Sequence, residues 1–122
     1  MKEDTLHWFA LKVFYNKVLV VEDLLNQYSL ESYIPMEEVI VQRGDKQKKV
    51  CRPVVNSLMF VRASLKMLKD LQRRYFHEFC FYLNADKTAP AIIPDHEFNV
   101  FRVVTSAMAH GLEYFSDEAM VN

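Results

Sequence analysis

His77 and Cys80, three residues apart, are the densest local pairing of groups able to ligate a metal or share a proton. In a strand, residues three apart point to opposite faces, and two ligands fall short of a zinc site. His7, His96 and His110 are scattered, and no serine or cysteine sits in a nucleophile elbow. Nucleophilic catalysis needs nucleophile, base and orienting group to converge, so these residues predict no catalytic centre and no metal. Glu37 and Glu38 alternate about a strand edge and read as a solvated boundary. Two glycines in 122 residues leave no glycine-rich phosphate loop, and no cofactor is expected.

Charge is the stronger signal. The formal net charge is -1, but five basic residues, Arg43, Lys46, Lys48, Lys49 and Arg52, gather around Asp45 alone. Lys66, Lys69, Arg73 and Arg74 form a second basic stretch around Asp70, so the rest of the chain is strongly acidic. Exposed cations of this density attract phosphates without reading sequence. Lysines on an edge hairpin also prevent sheet extension, and that alternative stays open here. Cys51 and Cys80 are the only cysteines. Arithmetic permits one disulfide, but the pair reads as reduced, partly buried thiols in a cytoplasmic protein. The acidic start and the lack of a long apolar run predict neither a signal peptide nor a membrane span.

The elements that must position these groups follow from periodicity. His7 to Phe14 reads as a strand inside a sheet, and Asn16 as the cap of a helix from Lys17 to about Tyr28. That helix buries Val18, Val21, Leu25 and Tyr28, although its valines would suit a strand almost as well. Tyr33 to Pro35 is extended, because the residue before a proline avoids helix. Val39 to Gln42, Gly44-Asp45-Lys46 and Val50 form a hairpin with a charged tip. Ser57 to Ala63 is a buried strand, and Ser64 caps a helix through Leu65, Leu68, Leu71 and Tyr75. Phe79 to Leu83 is another strand. Pro94-Asp95 opens a last helix with Phe98, Phe101, Val104 and Met108 on one side and Gly111 as its stop. With helices on one face of the sheet, this order predicts an α+β sandwich of ferredoxin-like or RNA-recognition pattern. Residues 1–6 are expected to be a flexible start, 7–110 one domain, and 111–122 a tail or linker. Apolar side chains such as Phe14, Tyr15, Val54 and Val55 exceed what one face can bury, which points to a partner.

Four segments, in order, resemble the amino-terminal domain of the NusG transcription elongation factors. These are Trp8-Phe9-Ala10-Leu11-Lys12-Val13, Val21 to Pro35, Arg52-Pro53-Val54-Val55-Asn56-Ser57-Leu58-Met59-Phe60-Val61, and Ala89-Pro90-Ala91-Ile92-Ile93-Pro94-Asp95. The resemblance includes the specialised antiterminators of RfaH and UpxY type, some of which serve surface-polysaccharide operons. It implies a four-stranded antiparallel sheet with flanking helices and no enzymatic activity. It also implies docking on the clamp helices of the largest catalytic RNA polymerase subunit through Phe14, Pro53, Val54 and Val55. By the same resemblance, Lys69, Asp70, Leu71 and Gln72 reach the opposite lobe. The basic residues of the hairpin, Arg43, Lys46, Lys48, Lys49 and Arg52, would then face nucleic acid, including non-template DNA. These 122 residues are expected to hold no counterpart of the family's KOW domain, whether the chain is a piece of a longer protein or a divergent single-domain version, and without that domain no ribosome or termination-factor contact is expected. The sequence departs from the family at Asn16-Lys17-Val18, at Val55 in place of phenylalanine, and at Asn56-Ser57.

A second functional class is an RNA- or DNA-binding module that uses the sheet face directly. Leu58-Met59-Phe60-Val61 lacks the glycine and the second aromatic of that module's usual central strand. An acylphosphatase-like enzyme would need an arginine-bearing phosphate loop near the first strand, which is missing.

Overall fold

Strand β1 spans Leu6–Val13, and both its faces are covered: Phe9, Leu11 and Val13 pack on one side, Trp8 and Ala10 on the other. A strand apolar on both faces belongs inside a sheet. The computed structural model describes residues 5–110. After β1 come a 3-10 turn at Phe14–Asn16, α1 (Val18–Gln27), β2 (Glu31–Tyr33), β3 (Met36–Arg43) and β4 (Lys46–Pro53). They are followed by β5 (Leu58–Ser64), α2 (Leu65–Arg74), β6 (Phe79–Phe81), β7 (Ile92–Ile93) and α3 (Asp95–His110). The main sheet follows the antiparallel path β2-β5-β1-β6, and the short β7 pairs with β1 at Trp8 and Phe9. Register runs from Leu6 opposite Ser64 to Lys12 opposite Leu58. This is the expected α+β sandwich with its four-strand path, extended by β7.

Helices lie on both faces of the sheet, not on the one face expected. Helices α1 and α2 cover Phe9, Leu11, Val13, Met59, Val61 and Phe79, while α3 covers Trp8 and Phe60 with Phe98. The near-continuous apolar run of β5 requires this, since Met59 and Phe60 point to opposite sides. In α1, Val18, Val21 and Leu25 are buried at spacings of three and four. Fully burying such a side chain contributes about 1.5–3 kcal/mol, against under about 0.7 kcal/mol of helix propensity lost by a valine. Packing therefore overrides the local preference for strand.

Two local expectations differ at the helix ends and one holds. Asn16 does not cap α1, because it sits at φ 58° and no side-chain cap bond forms there. Ser64 does cap α2, its hydroxyl accepting from the Met67 N–H at 3.1 Å. Among the described side chains of α3 the buried ones are Phe98 and Thr105, and Val104 is exposed. The helix is turned so that Arg102 and Thr105 meet Tyr33, a polar contact that apolar periodicity does not register. The Met108 side chain and Gly111 lie outside the described residues.

Strands β3 and β4 form a separate two-stranded ribbon, longer than the predicted hairpin, from Met36 opposite Pro53 to Arg43 opposite Lys46. Gly44 turns it at φ +61°, a left-handed conformation that costs glycine nothing. Strand β6 ends at Phe81 rather than Leu83, which instead forms an isolated bridge with Pro90. No helix among the described residues is long and apolar enough to cross a membrane.

Candidate functional site

At the end of β1 the chain is held from two sides. The Val13 N–H donates to the Ser57 carbonyl at 2.8 Å, and the Phe14 N–H to the Glu78 carbonyl at 2.9 Å. The β4–β5 turn and the α2–β6 turn therefore flank Phe14. Pro53 ends β4 half-buried. The Val54 N–H donates to the Pro35 carbonyl at 2.9 Å and the Leu58 N–H to the Val55 carbonyl at 3.2 Å, which pins the turn at both ends. The side chains of Val54 and Val55 nevertheless remain 39% and 44% exposed. Phe14, Val54 and Val55 thus share one end of the sheet.

Beside Phe14 and Tyr15, that end carries Phe76 and His77, which were not assigned to it from the sequence. Phe14, Tyr15, Phe76 and His77 line a shallow depression of about 530 Å³. Tyr15 is 83% exposed and Phe76 62% exposed, and Lys17 Nζ lies 5.8 Å from the Tyr15 ring centre. Tyr15 is also held at φ 60°, ψ 28°, a region that bulky residues avoid. The apolar excess at Phe14 and Tyr15 signalled part of this surface, and the run Tyr75-Phe76-His77 just past a basic helix is a further signal that the sequence reading did not use. His77 faces solvent, Cys80 is half-buried, and no group of three metal-ligating side chains exists among the described residues.

The basic hairpin divides its charges between two faces. Cross-strand partners point to the same side. Arg43, Lys46, Lys48 and Arg52 therefore share a face with Val39, Val41 and Val50, while Lys49 lies on the opposite face with Ile40 and Cys51. Glu37 and Glu38 are not a solvated boundary: both are half-buried, with Glu37 3.7 Å from Arg52 and Glu38 3.6 Å from Lys49. Arg43, Lys46 and Lys48 make no ion pair among the described residues, so the uncompensated charge sits toward the tip. Cys51 and Cys80 are free thiols, and Cys51 is exposed rather than partly buried.

The quartet on α2 does not form one surface. Leu71 is buried in the main core, and Gln72 is spent on β6: its Nε2 donates to the Phe79 carbonyl at 2.7 Å, and its Oε1 accepts from the Phe81 N–H at 3.0 Å. Lys69 is exposed, and Asp70 pairs with Arg73. At the end of α2, the Tyr28 and Tyr75 hydroxyls lie 2.6 Å apart and Arg74 Nη1 donates to the Tyr28 hydroxyl at 2.8 Å. The hydrogen bond from Tyr75 and the nearby Arg74 guanidinium hold the Tyr28 phenol below its ordinary value, while the bond to Tyr28 and burial push Tyr75 up.

One protein-family model, described as "Transcription termination factor nusG", matches residues 6–102, which span β1 to the middle of α3. No curated protein matches the chain.

Proposed function

The chain belongs to the NusG family of transcription factors, and from that premise we propose that it is an antiterminator docking on the clamp helices of the largest catalytic RNA polymerase subunit. The family acts in transcription elongation and termination, is not enzymatic and works on RNA polymerase. The docking surface in this proposal is Phe14, Pro53, Val54 and Val55. The observation that carries it is the exposed apolar end of the sheet, where a turn pinned by two backbone hydrogen bonds presents two valines beside Phe14. Apolar side chains fixed in place cost little ordering entropy on binding, and such patches mark interaction sites. Val55 in place of phenylalanine gives up about 1–2 kcal/mol of apolar burial, which the Tyr15 and Phe76 rings beside Phe14 are large enough to return.

In the same proposal, the hairpin face of Arg43, Lys46, Lys48 and Arg52 approaches non-template DNA. Lys49 is turned away and has a lesser part. Lys69 and Asp70 remain as the α2 contacts to the second lobe. The specialised role at surface-polysaccharide operons rests on the family resemblance, which takes in the antiterminators of RfaH and UpxY type. Direct base stacking on the sheet, the competing reading, is disfavoured in this conformation because α3 covers that face: the Trp8 ring already stacks on Phe98 at 3.9 Å.

Val55→Asp tests the docking surface. A carboxylate stays hydrated on the free domain, whereas carrying it unpaired into an apolar contact costs several kcal/mol. Expected are near-wild-type thermal unfolding and lost pull-down by purified clamp helices of the cognate polymerase. Full retention of binding removes the residue-level case, and collapse of the fold shows Val55 to be core.

A further inference from the structure

The face under α3 is built from two cross-strand rows. Tyr33, Phe60 and Ala10 are successive partners across β2, β5 and β1, and Glu31, Arg62 and Trp8 form the parallel row two residues away. Three aromatic rings therefore stand on three adjacent strands with an arginine among them. Two rings of α3 lie on this platform: Phe98 sits 3.9 Å from Trp8, 5.4 Å from Phe60 and 5.9 Å from Tyr33, and Phe101 sits 5.2 Å from Phe60. Polar contacts hold the helix down. Arg102 lies over Trp8 at 5.6 Å and Tyr33 at 5.3 Å, donates to Glu31 at 3.1 Å, and the Tyr33 hydroxyl bonds Thr105.

The cover is imperfectly matched to what it covers. A polar cleft of about 260 Å³, lined by Trp8, Glu31, Arg62, Asp95, Asn99 and Arg102, opens between α3 and the sheet. Arg62 has no hydrogen-bond or ion-pair partner among the described residues, and its Nε is buried without an acceptor. Its cross-strand neighbour Glu31 is taken by Arg102 instead. A buried donor left unmade is unfavourable for the covered state, and any ligand that supplies the acceptor shifts the equilibrium away from it.

We propose that α3 is a displaceable cover over a base-stacking face, and that single-stranded nucleic acid is the ligand of the uncovered face. Bases have π-faces that replace Phe98 and Phe101 on Trp8, Phe60 and Tyr33. A backbone phosphate gives Arg62 the acceptor it lacks, and Asp95, the unpaired carboxylate of the cleft, leaves with the helix. Docking through the other end of the sheet does not require this opening, so the proposal stands apart from the polymerase-binding surface.

Native-state hydrogen exchange and Trp8 fluorescence test it on the full chain. Trp8 is the single tryptophan, so its emission reports the platform rather than oligonucleotide held by the hairpin. The amides of α3 should open well below the free energy of global unfolding that governs β5. Titration with an eight-nucleotide single strand should change Trp8 emission. Arg102→Ala should tighten that binding about tenfold or more, the size of one exposed ion pair and two cation–π contacts, and Arg62→Gln should weaken it. Parallel RNA and DNA strands of one sequence distinguish the two sources of the same chemistry. If α3 amides exchange only with β5, or Arg102→Ala leaves the titration unchanged, α3 is a fixed part of the core and the proposal falls.

Discussion

At Tyr15 and Asn16 the backbone turns left-handed twice in succession, at φ 60° and 58°. Asparagine tolerates that region and tyrosine does not, so the conformation is held by its surroundings. Tyr15→Gly should therefore stabilise the free domain by about 0.5–1 kcal/mol in urea unfolding, while weakening polymerase docking through the lost ring. A drop in both would show that the ring supports the fold. Asn16 itself illustrates what sequence cannot reveal: its type suits a helix cap and a left-handed turn equally, and only the path from β1 to α1 decides. The tyrosine pair makes a second prediction. Tyr28, held down by Tyr75 and Arg74, should ionise first in an alkaline absorbance titration, and Arg74→Gln should move that first step upward. A lowered phenol adds stability above the ordinary tyrosine value near 10, and a raised one, Tyr75, loses it there. Above that value the two therefore oppose each other, and a first ionisation unmoved by Arg74→Gln would exclude the guanidinium as its cause.

Among elements, the β3–β4 ribbon shows how far spacing carries. Basic residues flanking Gly44-Asp45 revealed a charged hairpin, but not its length or which cations share a face. The register settles both, because alternate residues of a strand point opposite ways. Lys46→Glu with Lys48→Glu should thus reduce crosslinking to non-template DNA in an elongation complex far more than Lys49→Glu. Equal losses would mean that charge acts without regard to face, and no loss would assign the lysines to edge protection. Helix α3 was equally legible in outline, with Pro94-Asp95 marking its start. Its side of the sheet was not, because Arg102 and Thr105 dock on Tyr33 by polar contacts, and hydrophobic periodicity counts neither.

For the molecule as a whole, the two layers are unequal. The α1/α2 face holds the larger cluster, with Phe9, Leu25 and Phe79 fully buried, whereas the α3 face rests on Trp8, Phe60 and Phe98. Phe9→Ala should cost about 3–5 kcal/mol, a large share of the 5–15 kcal/mol that holds a domain folded. Equilibrium urea unfolding followed by both circular dichroism and fluorescence should show one early, coincident transition. A loss under about 1 kcal/mol would mean the site collapses around the gap. The main core was the most legible part, since strand alternation and helix spacing mark it directly. The docking end was legible in part, since the apolar excess at Phe14, Tyr15, Val54 and Val55 pointed to a partner, but which partner was suggested only by the family resemblance.

The amide of Gln72 occupies the free hydrogen-bonding groups of β6 as an added strand would. An open-ended filament needs two vacant edges on each sheet, one to give and one to receive. With β6 blocked by a side chain and β7 only two residues long, the main sheet offers β2 alone among the described residues. Two copies joined edge to edge would meet β2 to β2 about a two-fold axis and leave nothing for a third to join. Edge-to-edge association through the described strands of this sheet would therefore close at the dimer.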